Sequence, residues 1–439
     1  MRDRLSIGRI VEMNIGFFGL QFSFGLQQAN MTPIYKFLGA DEATMPLLWL
    51  AGPMTGLLVQ PIIGALSDRT LSRMGRRTPY FLIGAIVCSL CLFAMPYSPT
   101  LWMAASLLWL LDAGNNVTME PYRAYVADRL LPEQQPAGFL TQSAFTGLAQ
   151  CTSYAAPSLL AAAGVSTAIM PGHPIPDIVK LAFVVGAILS LGTIVYSVVR
   201  VPELKLDEAE KARIAALPRG FGAALAEVVD AVREMPQAMR RLAVAMLCQW
   251  YAMFVYWQYI SLSVSRSLFG TTEAASAAYI DATLTAQKMG VVYNAIAFAG
   301  ALILIPVLKR FSVSLVHAAC LAASGAAMLL IAGASGTATL YAATLGIGIG
   351  WAGMMGNTYV MLADAIPPER TGVYMGIFNM FIVIPMLIET VTMPLIYRPV
   401  LGGDPRHALM LAGALMMLGA LATLRVSSRT SRRERLEAG

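Results

Sequence analysis

Long apolar runs alternate along the chain with short turns that are charged or rich in Gly and Pro. About 20 apolar residues in a helix span a bilayer, so the pattern predicts twelve membrane-spanning helices. The run from Pro79 to Leu111 carries no charge and is too long for one span, and Pro96 and Pro99 near its middle predict a turn. We place the twelve helices at 10–35, 43–66, 79–97, 100–128, 137–163, 177–200, 241–268, 285–308, 312–333, 338–364, 371–397 and 406–425.

The longest polar segment, 201–240, lies midway along the chain and separates six predicted helices from six. This predicts an N-terminal six-helix bundle at 1–200, a linker at 201–240 and a C-terminal six-helix bundle at 241–439. Within the linker, apolar residues from Phe221 to Val232 recur at steps of three and four. That spacing indicates an amphipathic helix lying along the inner membrane face. We interpret the linker as a connector rather than a regulatory domain.

The two halves of the chain also resemble each other. Short matches in both halves lie at one offset of 236 residues, and Gly64 corresponds to Gly300 at the same offset. Repeated six-helix halves are typical of transporters that work by alternating access. The matching pairs are Ala127-Asp128 with Ala363-Asp364, and Pro132-Glu133 with Pro368-Glu369.

Composition supports a membrane protein, since 57% of the residues are hydrophobic and only 13% are charged. Soluble domains carry about 25% charged residues, so we exclude a soluble enzyme, a disordered chain and a nucleic-acid binder. Of the 31 Lys and Arg residues, 24 fall on one side of the predicted spans and six on the other. Arg123 alone lies inside a span. The positive-inside rule then predicts a multi-pass protein of the cytoplasmic membrane with both termini in the cytoplasm.

The five cysteines all lie in apolar stretches, and the three histidines are scattered. Neither pattern has the spacing of a metal site or a disulfide framework. We therefore expect no metal and no cofactor. The N-terminus runs directly into a long span without a small-residue cleavage site, so we expect no removable signal peptide. The expected partners are the lipid bilayer and a small solute, and the expected state is a monomer.

Predicted helix 4 carries the most unusual set of charges. Asp112, Asn115, Asn116, Glu120 and Arg123 are spaced so that they share one helix face. A carboxylate at the centre of a span costs about 2.5–3.5 kcal/mol, so Asp112 should face a cavity or a partner. Such an acid is suited to binding and releasing a proton; the alternative is a structural ion pair. Arg123 lies about 16 Å further along the helix, where Glu120 is its nearest partner.

Amides and aromatic rings cluster on the predicted helices in a pattern typical of a pocket for a neutral polar solute. Sugars need donors and acceptors for their hydroxyls and an aromatic surface for their C–H faces, whereas an anion would need several Lys or Arg residues. The alternative is that these side chains hold helices together or anchor them at the interface. The candidate substrate-binding residues are Gln21, Gln27, Gln60, Asn115, Asn116, Gln142, Trp250, Trp257, Gln258, Tyr293, Asn294 and Asn379.

Two further features complete the set of candidates. Glu389 is the only other acid deep in a predicted span, and it either takes part in proton coupling with Asp112, Glu120 and Arg123 or packs against a neighbouring amide or hydroxyl. The loop from Gly64 to Pro79 is rich in charges that can form a cytoplasmic gate; the alternative is a topology signal only. The candidate gate residues are Asp68, Arg69, Arg73, Arg76, Arg77, Asp128 and Asp364.

The Gly-x-x-x-Asp-Arg…Gly-Arg-Arg pattern of this loop resembles the signature of the major facilitator superfamily. The stretch from Trp49 to Pro79 resembles one branch in particular, the plant-type sucrose–proton symporters and their bacterial relatives. Helix 1 with Gln21 and Gln27 resembles the same branch, as does the segment LDAGNNVTMEPYRAYVAD in helix 4. The segment LADAIPPERTGVYMGIFN resembles the helix 10–11 connection of bacterial relatives.

The resemblance implies an all-α membrane protein with twelve transmembrane helices in two six-helix bundles, the major facilitator fold. It implies a proton-coupled symporter for a disaccharide of the sucrose or maltose type, with Asp112 as the proton-carrying acid and Arg123 as a cation that modulates it or orders the sugar. This chain departs from the plant pattern at Glu120, where a small residue is expected, and at Trp257 and Gln258, where charges are expected.

Other functions remain open at this point. The nearest alternative is a sodium- or proton-coupled transporter of another small solute, such as a glycoside or organic acid. A membrane-embedded enzyme would need a catalytic cluster in the spans, and a sensor would need a sizeable soluble output domain. Neither is visible in the sequence.

Overall fold

The computed structural model describes residues 4–169, 174–204, 232–366 and 371–426, and the regular elements in those ranges are helical. The expected linker helix from Phe221 onward lies outside the described residues, as do the side chains of Arg69 and Asp364. The first six long helices are α1 (Ile7–Phe37), α2 (Ala51–Arg69), α3 (Thr78–Ala94), α4 (Leu101–Arg129), α5 (Gln135–Ala162) and α6 (Asp177–Arg200). The second six are α7 (Gln237–Ser267), α8 (Ala277–Leu308), α9 (Val313–Ala332), α10 (Thr337–Ala365), α11 (Thr371–Ile396) and α12 (Pro405–Thr423).

These twelve long helices of the described residues confirm the predicted number and order. The uncharged run after Pro79 is indeed two helices, since α3 ends at Ala94 and the 3-10 turn Met95–Tyr97 leads into α4. Thr100 starts α4 by accepting a hydrogen bond from the Met103 backbone N–H, a standard N-cap.

Two helix starts differ from the predicted positions. The predicted helix 43–66 is broken, because a 3-10 turn (Glu42–Thr44) and a short helix (Met45–Leu48) precede α2. Helix α8 begins at Ala277, eight residues before the predicted start at 285. Its first turns contain polar residues that an apolar run does not include, and the Ser276 hydroxyl caps them by accepting from the Tyr279 N–H at 3.2 Å.

Eight of the described helical stretches are long and apolar enough to cross a membrane by length and composition. The long helices that do not meet this measure are α1, α4, α5 and α7. These are also helices on which the sequence places many of the candidate amides, acids and tryptophans.

The helix pairings of the first half recur in the second. Helix α1 packs on α5 and α6, α3 packs on α4 and α6, and α2 packs on α4. Each helix six positions later makes the same contacts, since α7 packs on α11 and α12, α9 on α10 and α12, and α8 on α10. The sequence repeat thus corresponds to a structural repeat.

Glycines at equivalent positions permit one of these repeated helix contacts. A Cβ on Gly114 of α4 would lie 2.9 Å from the Cys88 sulfur and 3.1 Å from the Gly84 carbonyl oxygen of α3. Gly350, 236 residues later on α10, is equally close to α9, where its Cβ would lie 2.8 Å from Ser324 Oγ. Both contacts are too short for a side chain, so glycine sets how closely α4 and α10 approach their partners.

The chain divides into two compact units. The first comprises Met1–Asp41 and Leu50–Arg219, and the second comprises Glu42–Trp49 and Gly220–Gly439. The segment Glu42–Trp49 therefore belongs with the second unit, whereas the sequence assigns it to the bundle 1–200. A long-range contact accompanies this assignment, because Glu42 forms an ion pair with Arg266 at 2.7 Å.

In the first unit, α1, α3, α4 and α6 enclose an apolar core that fixes the position of α4. Tyr122 of α4 is fully buried against Phe17 and Phe81, with the Phe81 ring centroid 4.9 Å away. Its hydroxyl donates to the Met13 carbonyl oxygen at 2.5 Å. The polar residues of α4 lie on the same helix, two to three turns before this anchor.

Candidate functional site

Asp112 is the buried acid at the centre of the first unit, with only 2% of its surface exposed. Its carboxylate Oδ1 accepts a hydrogen bond from Gln27 Nε2 of α1 at 2.6 Å. None of the ion pairs formed by the described residues includes Asp112. The acid is therefore held by a neutral amide, which differs from the structural ion pair that was the alternative.

Asn116, one turn further along α4, links Asp112 to α2. Its Nδ2 donates to Thr55 Oγ1 at 3.0 Å and to the backbone oxygen of Asp112 at 2.9 Å. Its Oδ1 accepts from Gln60 Nε2 at 2.6 Å. Both polar atoms of the Asn116 amide are thus hydrogen-bonded, and these bonds connect α4 to α2.

Asn115 makes the corresponding connection to α1 and α3. Its Nδ2 lies 3.5 Å from Gln27 Oε1, and its Oδ1 accepts from the Cys88 thiol at 3.1 Å. We call Gln27, Gln60, Asp112, Asn115 and Asn116 the carboxyl–amide cluster. All five were expected in the site from the sequence, and the hydrogen bonds join them into one connected group on three helices.

Arg123 and Glu120 lie apart from this cluster. Arg123 Nη1 is 3.3 Å from Glu120 Oε1, which is the local ion pair considered as the simpler alternative. The Arg123 side chain is 52% exposed, so it is not the buried cation that its position inside a span had suggested. With about 16 Å along the helix axis between Asp112 and Arg123, the two do not form a pair.

In the second unit, Glu389 of α11 is fully buried, and its Oε2 accepts from Gln258 Nε2 of α7 at 3.2 Å. This is the second acid held by an amide.

Trp250 and Trp257 pack together with Trp351 of α10, at ring-centroid distances of 5.4 to 6.5 Å.

The remaining candidate substrate residues are less closely connected. Gln21 and Gln142 are buried, and Tyr293 packs edge-on against Tyr256 at 6.3 Å. Asn294 donates to the Gly290 carbonyl oxygen of its own helix, which is a local contact. Asn379 is exposed, so it is not part of either buried group.

The charged loop between α2 and α3 forms a compact cluster. Arg77 is buried and bonds three acceptors, Asp68 Oδ1 at 2.6 Å, Asp128 Oδ2 at 3.1 Å and Ser67 Oγ at 2.6 Å. Arg76 Nη2 reaches the same oxygen of Asp128 at 2.5 Å. The loop therefore ties the start of α3 to the ends of α2 and α4.

Among the other candidate gate residues, Arg73 is exposed, and the side chains of Arg69 and Asp364 are outside the described set. Glu203, which the sequence analysis did not single out, completes the cluster. Its carboxylate accepts from the backbone N–H groups of Arg77 and Thr78 at 2.8 and 3.2 Å. The sequence gave no signal of this contact, because Glu203 lies 126 residues after Arg77 along the chain.

Three further contributing residues were also missed. Thr55 and Cys88 bond the asparagines of α4, and Trp351 joins the two tryptophans of α7. Thr, Cys and Trp in apolar helices commonly serve packing alone. For Trp351 the internal repeat gave a usable sequence signal, because this residue lies 236 residues after Asn115, a candidate of the first half.

Comparison with known proteins agrees with this architecture. The family model of the Major Facilitator Superfamily matches residues 13–388, and the chain belongs to this superfamily. The sucrose transport protein SUT1 of Oryza sativa subsp. japonica is 33% identical over 146 residues, covering 28% of this chain and 27% of that protein. The sucrose transport protein SUC4 of Arabidopsis thaliana is 36% identical over 126 residues, covering 25% of each.

A further relative is the general alpha-glucoside permease of Schizosaccharomyces pombe, 31% identical over 142 residues, covering 29% of this chain and 26% of that protein. The chain thus spans about a quarter of the length of these relatives. Among solved structures, the nucleoside transporter NupG superposes with a TM-score of 0.71 at 13% identity, covering 95% of this chain and 98% of its own. The peptide transporter POT in complex with sulfate gives 0.70 at 15% identity, covering 95% and 94%.

Proposed function

We propose that this protein is a proton-coupled sugar symporter that moves a disaccharide of the sucrose or maltose type by alternating access. The proton-binding group is Asp112. The observation that carries the proposal is the buried carboxyl of Asp112, hydrogen-bonded to the Gln27 amide and included in none of the ion pairs among the described residues.

An amide partner suits an acid that must change its charge. A carboxylate at the middle of a membrane costs about 2.5–3.5 kcal/mol, and a cation beside it would stabilise the charged form permanently. A glutamine side chain carries both a donor N–H₂ and an acceptor oxygen. It can therefore bond the ionised or the protonated acid.

The same contact favours a proton over sodium. Hard cations take several oxygen ligands, whereas the side chain that bonds Asp112 Oδ1 presents an N–H group.

A neutral sugar is the solute that the polar groups fit best. The cluster around Asp112 offers four amide side chains, which match hydroxyl groups. An organic acid would call for cations, and the cation of α4 nearest in sequence to the cluster, Arg123, is half exposed and paired with Glu120. The relatives named as sucrose and alpha-glucoside transport proteins point to the same class of solute.

Coupling to one proton would supply enough energy for accumulation. One charge crossing 100 mV provides about 2.3 kcal/mol. Since each tenfold concentration ratio costs about 1.4 kcal/mol, the potential alone sustains roughly fifty-fold accumulation of sugar.

The test is uptake of labelled sucrose and maltose into proteoliposomes with an imposed pH gradient and membrane potential. Asp112→Asn keeps a neutral polar group in place, so we expect loss of gradient-driven accumulation but retention of sugar exchange between the two sides. The matched control is Asp281→Asn, an exposed acid of α8, which should behave as the wild type. Accumulation by Asp112→Asn at the wild-type level would refute the assignment, and transport of neither sugar would refute the substrate class.

Other parts of the proposal have separate support. Glu389, also bonded by an amide, is a second candidate for coupling, and Glu389→Gln is measured in the same assay. The distribution of Lys and Arg supports a cytoplasmic location for both termini. We assign the cluster of Asp68, Arg76, Arg77 and Asp128 to a cytoplasmic gate, since its ion pairs join the ends of three helices.

A further inference from the structure

Three tryptophans of the second unit pack edge to face in one aromatic cluster. Trp250 and Trp257 are two turns apart on one face of α7, and Trp351 of α10 lies 5.9 Å from the first and 5.4 Å from the second, measured between ring centroids. Helix α7 packs mainly on α11 and α12, and α10 packs mainly on α8 and α9. The three indoles therefore bridge two helices that otherwise make little contact.

The repeat shows what this cluster replaces. Helices α1 and α7 both have 31 residues, and Gln27 and Trp257 are each the twenty-first. Helices α4 and α10 both have 29 residues, and Asn115 and Trp351 are each the fifteenth. The amide pair Gln27–Asn115 of the first unit thus corresponds to an indole pair in the second. The first unit presents hydrogen-bonding groups at these positions, and the second presents aromatic faces.

The indole N–H groups indicate the chemistry of the ligand. Nε1 of Trp250 and Nε1 of Trp257 are buried and have no hydrogen-bond partner within the described part of the chain. Trp250 as a whole is 6% exposed. Buried indole N–H groups usually find an acceptor, so a ligand with oxygen acceptors next to an apolar face would satisfy this cluster.

We propose that Trp250, Trp257 and Trp351 form the subsite for one pyranose ring of the sugar. The ring's C–H face stacks on the indole of Trp351, to which the Trp257 ring is nearly perpendicular, and its hydroxyl oxygens accept from the N–H groups of Trp250 and Trp257. A pyranose ring has both an apolar C–H face and hydroxyl oxygens that can accept hydrogen bonds. A quaternary ammonium ion, the other common ligand of aromatic clusters, has no acceptor for the two N–H groups.

This inference rests on the proposed function and is tested without transport. Purified protein in detergent is titrated with sucrose and with maltose while tryptophan fluorescence is recorded; the chain has six tryptophans. We expect a saturable change in fluorescence with both sugars and none with mannitol, whose hydroxyls are not held on a ring. A response to choline in place of the sugars, or to none of these compounds, would overturn the proposal.

Substitutions separate stacking from packing. Trp351→Leu removes the aromatic face, and we expect the sugar dissociation constant and the KM for exchange to rise about tenfold, which equals about 1.4 kcal/mol, with kcat changed less than twofold. Trp351→Phe keeps an aromatic ring at this position, so it should retain most of the sugar affinity that Trp351→Leu loses. The control Trp102→Leu removes a tryptophan that is 77% exposed and should leave KM unchanged.

The two proposals can fail separately. If Trp351→Leu binds and exchanges sugar with the wild-type KM while uptake remains proton-driven, the subsite is wrong and the symport stands. If sugar binding depends on Trp351 but no pH gradient drives uptake, the subsite stands and the proton coupling is wrong. Should Trp351→Leu fail to fold, Trp257→Phe keeps a face and removes one donor N–H. Its affinity must then fall at least threefold, and wild-type affinity would overturn the subsite.

Discussion

The ion pair that joins the segment Glu42–Trp49 to the second unit permits a quantitative prediction. Glu42 Oε2 accepts from Arg266 Nη2 at 2.7 Å and from the Tyr397 hydroxyl at 2.8 Å. The two charged side chains are only 7% and 23% exposed. Tyr259, which stacks on Tyr397 at 5.2 Å, donates its own hydroxyl to the Glu42 backbone oxygen at 3.0 Å.

Glu42→Gln should destabilise the second unit because it leaves the Arg266 charge partly buried without a partner. Breaking a buried pair costs about 3–5 kcal/mol. Arg266 keeps a hydrogen bond to the Gly403 carbonyl oxygen at 3.0 Å and some exposure, so we expect about 3 kcal/mol. For a unit of this size, 1 kcal/mol corresponds to about 2–4 °C, which predicts a fall in apparent Tm of roughly 6–12 °C.

The assay is thermal unfolding in detergent at one fixed scan rate for Glu42→Gln, Arg266→Met and the double variant. Since the second substitution removes the charge that the first left unpaired, the double variant should lose clearly less than the sum of the two single losses. The control Asp177→Asn breaks the more exposed pair with Lys180 and should cost no more than about 1 kcal/mol. Additive losses in the cycle, or equal losses in Glu42→Gln and Asp177→Asn, would refute the reasoning.

Two further predictions concern the loops. Gly75 has φ +110°, and a Cβ there would overlap the Glu203 carboxylate. Gly39 has φ +84°, with open space around it. Gly75→Ala should therefore lower the apparent Tm more than Gly39→Ala does, and equal losses would contradict this prediction. Partial burial of Asp404 opposes its ionisation, but the hydrogen bonds and charge of Arg406 outweigh it and hold the pKa of Asp404 below its ordinary value. The contribution of ionised Asp404 to stability is therefore complete above about pH 4–5 and is lost as the pH falls through that lowered pKa. The thermal stabilities of wild type and Asp404→Asn should thus converge only in acid. A difference that shrinks between pH 8 and 5 would contradict this prediction.

Much of the fold follows from apolar runs, because the bilayer sets the length of each helix and the turns are marked by Pro, Gly and charge. Where polar residues enter a helix, the signal fails. The first two turns of α8 were missed for this reason, since Tyr279, Asp281 and Thr283 interrupt the apolar pattern there. Likewise, the segment before α2 is bonded to the second unit by the ion pair of Glu42 with Arg266, a contact across 224 residues that no local pattern contains.

The candidate site was predictable to a similar extent. Spacing alone put Asp112, Asn115 and Asn116 on one face of a helix, and the hydrogen bonds agree with that placement. Spacing could not tell which side chains of other helices would meet them, nor that Arg123 would be half exposed. Residue type fixes the chemistry that is possible, whereas the partner is selected by the crossing of helices that are far apart in sequence.

The two buried acids that are bonded by amides illustrate why the partner matters more than the acid itself. Asp112 and Glu389 lie in different units, and each is bonded by a glutamine from the first long helix of its unit, Gln27 on α1 and Gln258 on α7. An arginine at either place would stabilise the ionised form and would oppose loss of the charge. A glutamine is neutral and can bond both forms, so it does not hold the acid in one protonation state. Because hydrogen bonds join Asp112 to amides of α1 and α2, we propose Asp112 rather than Glu389 as the acid that links proton binding to the sugar.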